Sequence, residues 1–347
     1  MVTIKEIAEI AGVSTTTVSN VLHKKTARVS AETIEKVQKL LVDNNYIPRL
    51  GLNALTNKNS RIISILINTP SFARGSVYES PFYGRIIGML EELLRKKGYY
   101  IMIFSDKNVE EIEKMTLGWN VDGIISISMP LAYCKKISEL SDKPMVSIDM
   151  GELPSEKEKI YLVTSEDEKA GFEMSEYLIS NGAKKIIYLA NDAQGADYQR
   201  YLGTMKAAEK ENCEIEIKLL PIEAEGRQSV YEELLKYAGT DTALFFSTDK
   251  NAAEMISFLN RNNIKVPEEI SVAGIDDDVF ATIVYPTLTT MKIDVEEKAN
   301  VAVEILMKLI NGEICMPYVY KTKVQLIERE SVKKIKAESE KRIGKGI

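Results

Sequence analysis

Residues 3–22 read TIKEIAEIAGVSTTTVSNVL, and this stretch determines how the N-terminal region folds. Thr3 and Glu6 have the spacing of a capping box, in which the Thr3 hydroxyl accepts from the Glu6 amide and the Glu6 carboxylate accepts from the Thr3 amide. Apolar residues then recur at helical spacing until Gly12, which supplies the left-handed residue that ends a helix. Ser14 is a good N-cap for a second helix. The stretch therefore predicts a helix, a three-residue turn and another helix.

The second predicted helix has two unlike faces. Val18, Val21 and Leu22 are expected to enter a small core, which a third helix capped by Ser30 would close. The outward positions carry short donors and acceptors that suit the major groove of DNA. These outward residues are Thr15, Thr16, Thr17, Ser19 and Asn20. A three-helix bundle with no role on DNA would leave this polar face unexplained.

The charge of the chain is unevenly distributed. Residues 1–61 carry a net charge of +4 and residues 331–347 carry another +4, so the overall charge of −6 leaves −14 on the middle of the chain. A small basic region joined to a large acidic one indicates a nucleic-acid contact confined to the N-terminus. Charge alone is equally consistent with an ordinary solvated surface, so the motifs have to decide.

Length and composition limit the classes of protein. With 347 residues, 45% of them hydrophobic and 28% charged, the chain can bury two or three cores, which excludes disorder over its whole length. No apolar run approaches the roughly 20 residues that a membrane span needs. The first residues lack the basic segment and apolar run of an export signal, so a cytoplasmic protein is expected.

The histidine and cysteine counts argue against catalysis and metal binding. The cysteines Cys134, Cys213 and Cys315 are widely separated and form no C-x-x-C pair, which disfavours a disulfide framework or a zinc site. His23 is the only histidine, so a Ser-His-Asp or Cys-His arrangement would have to use a residue in the most basic part of the chain. We therefore expect no enzyme activity, no cofactor and no metal.

From residue 62 onward, short apolar strands alternate with amphipathic helices, as in parallel α/β domains. Strands are predicted at 62–67, 99–104, 123–127, 145–148, 185–189, 243–246 and 271–274. Helices are expected between them, for instance at 83–97 and 168–181. The count suits two doubly wound halves, whose ligands bind outside the carboxyl ends of the strands. Trp119 precedes the third strand and is expected to be a packing residue. The chain has no G-x-G-x-x-G or G-x-x-x-x-G-K-[ST] motif for a dinucleotide or a nucleotide phosphate.

Four motifs occur together in the first 48 residues: A-G-V-S-x-x-T-V-S-x-V-L at 11–22, V-S-x-x-T at 29–33, E-K-V at 35–37 and N-Y-I-P at 45–48. In this combination the segment resembles the DNA-binding headpiece of the LacI/GalR family of transcriptional regulators. The resemblance implies that Thr15, Thr16 and Asn20 read bases. It also implies contacts to DNA phosphates by Thr3, Ser14, Thr17, Ser19, His23, Ser30 and Thr33.

The base-reading positions depart from the family's habit. Family members often carry longer side chains there, such as Tyr, Gln or Arg, and His23 stands where Asn is usual. Threonine hydroxyls donate or accept and threonine methyls contact thymine, so Thr15 and Thr16 encode little, whereas Asn20 could pair bidentately with adenine. The helix by itself therefore leaves the operator sequence open.

The resemblance also assigns residues 49–60 to a hinge. In the family this segment is unfolded when free and becomes a short helix on operator DNA, where a leucine from each subunit wedges into the minor groove. Leu55 matches that wedge, and Leu52 and Asn53 belong to the same minor-groove segment. Gly51 in such a helix costs about 1 kcal/mol relative to alanine, so the hinge is expected to order only on DNA with two subunits present. The alternative is a plain polar linker with an incidental leucine.

The chain up to about residue 330 more loosely resembles the family's sensor, which is similar to periplasmic sugar-binding proteins. Motifs in family order include S-P-F-Y at 80–83, R-Y-L-G at 200–203, S-T-D at 247–249 and G-I-D at 274–276. The effector-binding residues that the resemblance implies are Phe82, Tyr83, Arg200, Thr248, Asp249 and Asp276. A carboxylate, a guanidinium and aromatic faces suit a neutral polyhydroxylated ligand, or one with a single acidic group held by Arg200. In the alternative, Arg200 and Asp276 form an interior ion pair and Phe82 is core.

Together these features predict an all-α helix-turn-helix headpiece followed by an α/β, periplasmic-binding-protein-like sensor of two doubly wound parallel-sheet subdomains. The expected division is a DNA-binding domain at 1–48, the hinge at 49–60, an effector-binding and dimerisation domain at 61–330 and a basic tail at 331–347. Within the sensor, one subdomain would combine 62–162 with 292–321, and the other 163–291 with 322–330. The tail lacks a leucine heptad, so a homodimer is expected and a tetramer is not.

The predicted function is a sequence-specific transcriptional regulator, in the first instance a repressor. It would bind a pseudo-palindromic operator as a dimer under the control of a sugar-like metabolite. One alternative is the same regulator controlled by a protein corepressor, as in catabolite-control relatives. Another is a sugar-binding protein whose N-terminal module does not bind DNA. The sequence leaves open whether the effector releases or promotes DNA binding.

Overall fold

The computed structural model describes residues 2–22, 25–44, 46, 60–68, 77–106, 108–221 and 223–335. Two compact units divide the chain, Met1–Asn59 and Ser60–Ile347. The predicted DNA contact His23, the hinge residues Leu52, Asn53 and Leu55, and the tail beyond residue 335 lie outside the described residues.

The first unit contains three helices that pack around a small core. They are α1 (Ile4–Ala11), α2 (Thr15–Leu22) and α3 (Ala31–Asp43). The predicted capping box is confirmed, since the Thr3 amide donates to the Glu6 carboxylate over 2.7 Å and Gly12 ends α1 with a φ of 69°. The core consists of Ile7, Ala8, Ala11, Val18, Val21 and Val37. Leu22, expected in this core, is only half-buried.

The second unit is built from strands that alternate with helices. The strands are β1 (Ile62–Asn68), β2 (Tyr100–Asp106), β3 (Gly123–Ile127), β4 (Met145–Ile148), β5 (Tyr161–Ser165), β6 (Lys185–Ala190), β7 (Glu214–Leu219), β8 (Thr242–Phe246), β9 (Ser271–Asp276), β10 (Thr289–Ile293), β11 (Val319–Thr322) and β12 (Val324–Ile327). The helices are α4 (Pro81–Lys96), α5 (Val109–Leu117), α6 (Leu131–Ser141), α7 (Asp167–Ser180), α8 (Gly195–Glu211), α9 (Ala224–Leu234), α10 (Asp249–Arg261), α11 (Val279–Ile283) and α12 (Val295–Ile310). Of the described helices, none has the length and apolar content to span a bilayer.

The strands form two sheets with the same winding. The order is β11-β5-β4-β3-β1-β2 in the first sheet and β12-β10-β9-β8-β6-β7 in the second. Neighbouring strands pair in parallel, apart from the antiparallel pair of β10 and β12. Strands covered on both faces read as continuous apolar runs, and β1, with the sequence IISILIN, is buried over its last six residues. The two doubly wound parallel sheets that the sequence predicted are confirmed.

Five of the observed strands, β5, β7, β10, β11 and β12, were not predicted. β7 lies at the edge of the second sheet, and its sequence EIEIKL alternates charged and apolar residues without a buried run. β11 and β12 are four residues long each and lie in different sheets although one residue separates them. Such short segments become strands because a partner strand is available, which the local sequence does not encode.

The chain passes between the two sheets after β5, after β10 and between β11 and β12. The predicted subdomain boundary at residue 162 falls inside β5, which belongs to the first sheet as a whole. Past the predicted domain end at 330, Ser331 and Val332 are buried, and the Val272 amide donates to the Ser331 carbonyl over 2.9 Å. The described part of the predicted tail therefore begins as an extension of the second sheet.

Trp119 does not pack in a core. Half of its surface is exposed, at 50%, in the turn that follows α5. Val121 and Ile124 fill the neighbouring core positions instead. The expectation of a packing residue is therefore wrong, and the indole is available on the surface of the second unit.

Candidate nucleic-acid interface and ligand cleft

The outward face of α2 carries the three predicted base-reading residues. Thr15 and Thr16 are exposed and Asn20 is partly exposed, opposite the buried Val18 and Val21. None of the three predicted readers makes a side-chain hydrogen bond within the described residues. The polar groups of this face are therefore available to a partner.

Five of the six predicted phosphate-contacting residues in the described part of the chain lie at helix N-termini. Thr3 and Ser30 are the N-caps of α1 and α3, and the Ser14 hydroxyl accepts from the Thr17 amide over 3.0 Å at the start of α2. The remaining two are Thr33, whose hydroxyl lies 2.8 Å from that of Ser30, and Ser19, partly exposed on α2. Helix N-termini favour anions because their amides and dipoles point outward.

The topology of the second unit places its ligand cleft. In each sheet the second strand along the chain lies on one side of the first strand, and the third lies on the other side. Crevices therefore open at the carboxyl ends of β1 and β3 in the first sheet, and of β6 and β8 in the second. Asn68 and Ser128 lie at the first crevice, and Asn191 and Thr248 lie at the second. All four line one cavity of about 640 Å³. This size suits a small metabolite.

Residues with left-handed backbone mark the strand ends at this cavity. Ser128 follows β3 with a φ of 55°, Asp149 follows β4 with a φ of 49°, and Asp276 and Asp277 at the end of β9 have φ values of 129° and 56°. Non-glycine residues in this region are strained, and such residues cluster at functional sites. Three of them, Ser128, Asp149 and Asp276, line the cavity.

The aromatic part of the first wall comes from the first turn of α4. Phe82 and Tyr83 line the cavity and pack edge to face, with ring centroids 5.2 Å apart. The Tyr83 hydroxyl donates to the Ser128 hydroxyl over 2.8 Å. Burial raises the pKa of Tyr83 to about 12, so its hydroxyl stays protonated. Both predicted residues line the cavity. Phe82 is half-buried, with one side packed against the core and the other facing the cavity.

A buried ion pair that the sequence did not predict completes this wall. Lys298, in the first turn of α12 and 2% exposed, donates to both carboxylate oxygens of Asp149 over 2.7 Å. Asp149 also accepts from the Thr164 hydroxyl over 3.1 Å. The Lys298 ammonium lies 5.6 Å from the centroid of the Phe82 ring. Asp149 follows a predicted strand and could have been selected by that signal, whereas nothing in the local sequence marks Lys298.

Arg200, on α8, organises the second wall. Its Nε donates to Asp167 over 2.8 Å and its Nη1 donates to the Ser247 carbonyl over 3.0 Å, while Asp197 lies 3.5 Å from Nη1. Within the described residues its Nη2 has no hydrogen-bond partner. The interior ion pair of Arg200 therefore forms with Asp167 and Asp197, and the alternative pairing with Asp276 is not observed.

The Asp276 carboxylate makes no side-chain hydrogen bond within the described part of the chain. It lines the cavity at the end of β9. Burial raises the pKa of Asp276 well above its ordinary value, and the positive charge of Arg200 partly opposes this effect. A carboxylate in such surroundings gains from a ligand that donates hydrogen bonds.

Asp249 does not line the cavity, although Thr248 beside it does. The Asp249 side chain is fully buried and accepts from the Thr290 hydroxyl over 2.6 Å and from the Asp278 amide over 3.1 Å. It therefore anchors Asp278, two residues after Asp276 at the end of β9. Burial raises the pKa of Asp249 to about 7. The sequence predicted that Asp249 contacts the effector. In the structure Asp249 instead supports residues of the cavity wall from behind.

Two further groups were missed. Asn68 is 7% exposed, and its Oδ1 has no hydrogen-bond partner among the described residues. Asn191 is held by the Asn251 amide, which donates to its Oδ1 over 2.6 Å. Asn68 directly follows a predicted strand and Asn191 lies two residues past another, so the rule that ligands bind at carboxyl ends could have found them. The cavity thus combines an aromatic face with acceptors and donors on both walls, a lining suited to reversible binding.

Comparisons with known proteins agree with this architecture. Residues 3–49 match the family described as bacterial regulatory proteins, lacI family, and residues 175–332 match the periplasmic binding protein-like domain. The helix-turn-helix-type transcriptional repressor PurR of Vibrio vulnificus (strain CMCP6) is 29% identical over 347 residues, covering 96% of this chain and 100% of PurR. The regulator RegA of Clostridium saccharobutylicum is 29% identical over 341 residues, covering 94% of this chain and 98% of RegA.

Solved structures share the fold. The lac repressor dimer bound to operator and the anti-inducer ONPF has a TM-score of 0.82 at 22% identity, covering 95% of this chain and 98% of that chain. The complex of the transcriptional regulator CelR with cellobiose has a TM-score of 0.70 at 22% identity, covering 95% of this chain and 100% of that chain.

A helix-turn-helix unit followed by a two-sheet, periplasmic-binding-protein-like domain defines a class of bacterial regulatory proteins. Within that class, the chain carries a lacI-family helix-turn-helix domain at residues 3–49 and a periplasmic-binding-protein-like domain at residues 175–332. The resemblance seen in the headpiece motifs is thereby confirmed. The related proteins named above are transcriptional repressors or regulators.

Proposed function

We propose that the chain is a sequence-specific transcriptional repressor whose affinity for its operator is set by a small molecule in the cavity between the two sheets. One observation carries the proposal: the chain combines an exposed polar helix face, α2, with a two-walled cavity of about 640 Å³. The repressor names of the relatives support it. The cavity residues act in binding, and the protein is not an enzyme.

On DNA, α2 would enter the major groove with Thr15, Thr16 and Asn20 on base edges. Thr3, Ser14, Thr17, Ser19, His23, Ser30 and Thr33 would contact phosphates, and Leu52, Asn53 and Leu55 would occupy the minor groove at the hinge. The described residues of this set support the assignment by their exposure and by their places at helix N-termini. Phosphate contacts fix the register of the headpiece, whereas the α2 side chains supply sequence preference.

In the cavity, the effector would lie between the Phe82 ring on one wall and Arg200, Thr248 and Asp276 on the other. Asp276 and Asn68 offer acceptors that have no hydrogen-bond partner among the described residues, and Arg200 Nη2 offers a donor. This combination favours a compact, hydroxyl-rich metabolite with one weakly polar face. The cellobiose complex of the similar CelR structure supports a sugar-like effector.

Control of DNA binding would follow from linkage. A ligand that contacts both walls has a different affinity for the open and closed cavity, and it shifts their populations by that difference. In a dimer, the same shift would change how two headpieces fit one operator. The sign of the effect, release or promotion of DNA binding, is read directly from operator binding with and without the effector.

A homodimer is proposed on the apolar residues exposed beside the cleft. Val279, Ile283 and Tyr285 are 56%, 68% and 79% exposed. Exposed apolar patches of this kind mark interaction surfaces, and the lac repressor in the similar structure is a dimer. A twofold protein pairs with a twofold operator, so the operator is expected to be pseudo-palindromic.

The test begins with a thermal-shift panel of pentoses, hexoses, uronic acids, sugar phosphates, nucleosides and purines. An effector at a hundred times its dissociation constant adds about 2.7 kcal/mol, which raises the midpoint by about 5 to 10 °C. Asp276→Asn, which replaces a carboxyl oxygen in the cavity by an amide nitrogen at almost constant shape, is expected to lose the shift. Asp142→Asn, at an exposed position that ends α6 and lies outside the cavity lining, is the matched control and is expected to keep it.

Fluorescence anisotropy on operator DNA completes the test. A hit that changes operator affinity supports the whole proposal. If no compound stabilises the folded protein although operator binding is specific, the effector is not a small metabolite of these classes and a protein corepressor takes its place. Binding that is salt-sensitive but independent of sequence would overturn the repressor function.

A further inference from the structure

The recognition face of α2 is made of short side chains only. At about 100° per residue, Thr15, Ser19, Thr16 and Asn20 span an arc of about 140° that lies opposite the buried Val18 and Val21. The helix, with the sequence TTTVSNVL, contains no charged residue and no glutamine. Bidentate recognition of guanine relies on arginine or lysine, and recognition of cytosine relies on aspartate or glutamate. The face therefore lacks the side chains for bidentate recognition of guanine and for recognition of cytosine by a carboxylate.

The structure separates the threonines into two groups. The Thr17 hydroxyl lies 2.9 Å from the Ser14 hydroxyl, and its amide donates to the same serine, so Thr17 is committed to the start of the helix. Thr15 and Thr16 are exposed and make no side-chain hydrogen bond within the described residues. The Asn20 amide is likewise unengaged in the described part of the chain. Three residues thus keep their full capacity for contacts with bases.

We propose that α2 reads A·T pairs: the thymine methyls face Thr15 and Thr16, and an adenine faces Asn20. This proposal rests on the proposed function, since it requires α2 in a major groove. An asparagine amide matches the N6 donor and N7 acceptor of adenine, and a threonine methyl gains by covering the thymine methyl. Threonine hydroxyls accept or donate to any base, so the discrimination at their positions comes from the methyl group.

The experiment uses the full-length protein. An operator is first selected from a library of random duplex DNA, and its affinity is measured with every position substituted in turn. Asn20→Ala is expected to abolish the preference at one position of each half-site, and that position is expected to be an adenine, preferred about 10- to 100-fold by the unaltered protein. A guanine or cytosine at the position that depends on Asn20 would overturn the proposal.

A methyl-deletion cycle tests the threonines. Replacing an operator thymine by deoxyuridine removes its methyl and keeps its base pairing, and Thr15→Ser or Thr16→Ser removes the methyl on the protein. Each single change is expected to weaken binding about fourfold per half-site, the value of one buried methyl group. The combined change is expected to cost no more than one of them, because both remove the same contact.

Thr26→Ser provides the matched control. Thr26 lies in the connection between α2 and α3 and is half-buried, so the deoxyuridine penalty is expected to stay fourfold in this variant. A penalty that also stays fourfold in Thr15→Ser and Thr16→Ser would overturn the methyl contacts. Circular dichroism melting of each variant separates a loss of contact from a loss of folding. Failure of the selection to enrich any sequence would instead overturn the proposed repressor function, and the A·T preference with it.

Discussion

At the scale of single residues, the second unit depends on charges that are buried in pairs. Lys298 is 2% exposed and its ammonium is bound by both oxygens of Asp149. Arg200 is 7% exposed and is neutralised by Asp167 and Asp197. Removing one partner of such a pair leaves a charge without compensation in a region of low polarity. The same residues line the cavity or support it, so stability and binding are linked at these positions.

Lys298→Met is expected to lower the free energy of unfolding by about 3 to 5 kcal/mol, because Asp149 loses the buried cation that compensates it. Adding Asp149→Asn should recover at least half of the loss, since asparagine is uncharged and tolerates the left-handed backbone at that position. Urea denaturation measures both effects. Lys308→Met on the same helix removes an exposed pair with Glu304 and is expected to leave stability unchanged. Equal losses at the two lysines would contradict the role of burial.

Asp249 should make stability depend on pH. Its pKa is raised to about 7 in the folded protein by burial, whereas an unfolded aspartate titrates near 3.9. Between these values the folded protein holds a proton that the unfolded chain has released, so this group destabilises the fold progressively as pH rises from about 4 to about 7. The effect reaches about 4 kcal/mol.

Asp249→Asn isolates this contribution from the other carboxylates. An asparagine can donate to the Thr290 hydroxyl and still accept from the Asp278 amide, as a protonated aspartate would. The stability of the unaltered protein relative to Asp249→Asn is therefore expected to fall between pH 4 and pH 7, as measured by urea denaturation at each pH. Two parallel curves over that range would show that Asp249 does not titrate there.

At the scale of elements, the contact between α7 and α8 fixes the position of Arg200. A Cβ atom added at Gly203 would lie 1.8 Å from the Glu168 carbonyl oxygen, and one at Gly171 would lie 1.8 Å from the Arg200 carbonyl oxygen. The two helices therefore touch backbone to backbone. This close approach brings Asp167, at the start of α7, within hydrogen-bond distance of Arg200.

Gly203→Ala is expected to destabilise the protein by about 3 kcal/mol, because the two helices must move apart. Gly88→Ala serves as the control with the same chemistry. Gly88 lies in α4 and nothing is within 4 Å of an added Cβ, so alanine should stabilise the helix by up to about 1 kcal/mol. Thermal unfolding of both variants measures the expected loss of stability in Gly203→Ala and the expected gain in Gly88→Ala. A neutral Gly203→Ala variant would mean that the helices separate at no cost.

At the scale of the whole molecule, assembly is expected to use the apolar residues exposed on the second unit. Tyr285 is 79% exposed and Ile283 is 68% exposed, next to a surface cavity of about 770 Å³ that both residues line. A charge placed on such a surface has to be desolvated when two copies associate. Operator binding by two headpieces would be lost together with the dimer.

Tyr285→Asp is expected to convert the proposed dimer to monomers in sedimentation velocity and to weaken operator binding strongly. Ile314→Asp is the matched control, since Ile314 is 83% exposed on the loop between α12 and β11. That variant is expected to sediment as the unaltered protein does. A dimer that survives Tyr285→Asp and dissociates with Ile314→Asp would place the interface elsewhere.

The sequence by itself determined the features whose physics is local. The capping box of Thr3 and Glu6 and the left-handed Gly12 act within a few residues, so the ends of α1 could be predicted. The long apolar runs specified most of the buried strands in the same way. Phe82, Thr248 and Asp276 were found through motifs of a known family, and they do line the cavity.

Only the tertiary structure decided which distant residues meet. Lys298 and Asp149 are 149 positions apart, and Arg200 and Asp167 are 33 apart. Asp249 belongs to a family motif, yet packing turned it away from the cavity and toward Thr290. Strands β11 and β12 likewise exist because β5 and β10 offer free edges. Pairings of this kind depend on chain crossings between two sheets, and no local pattern of residues records them.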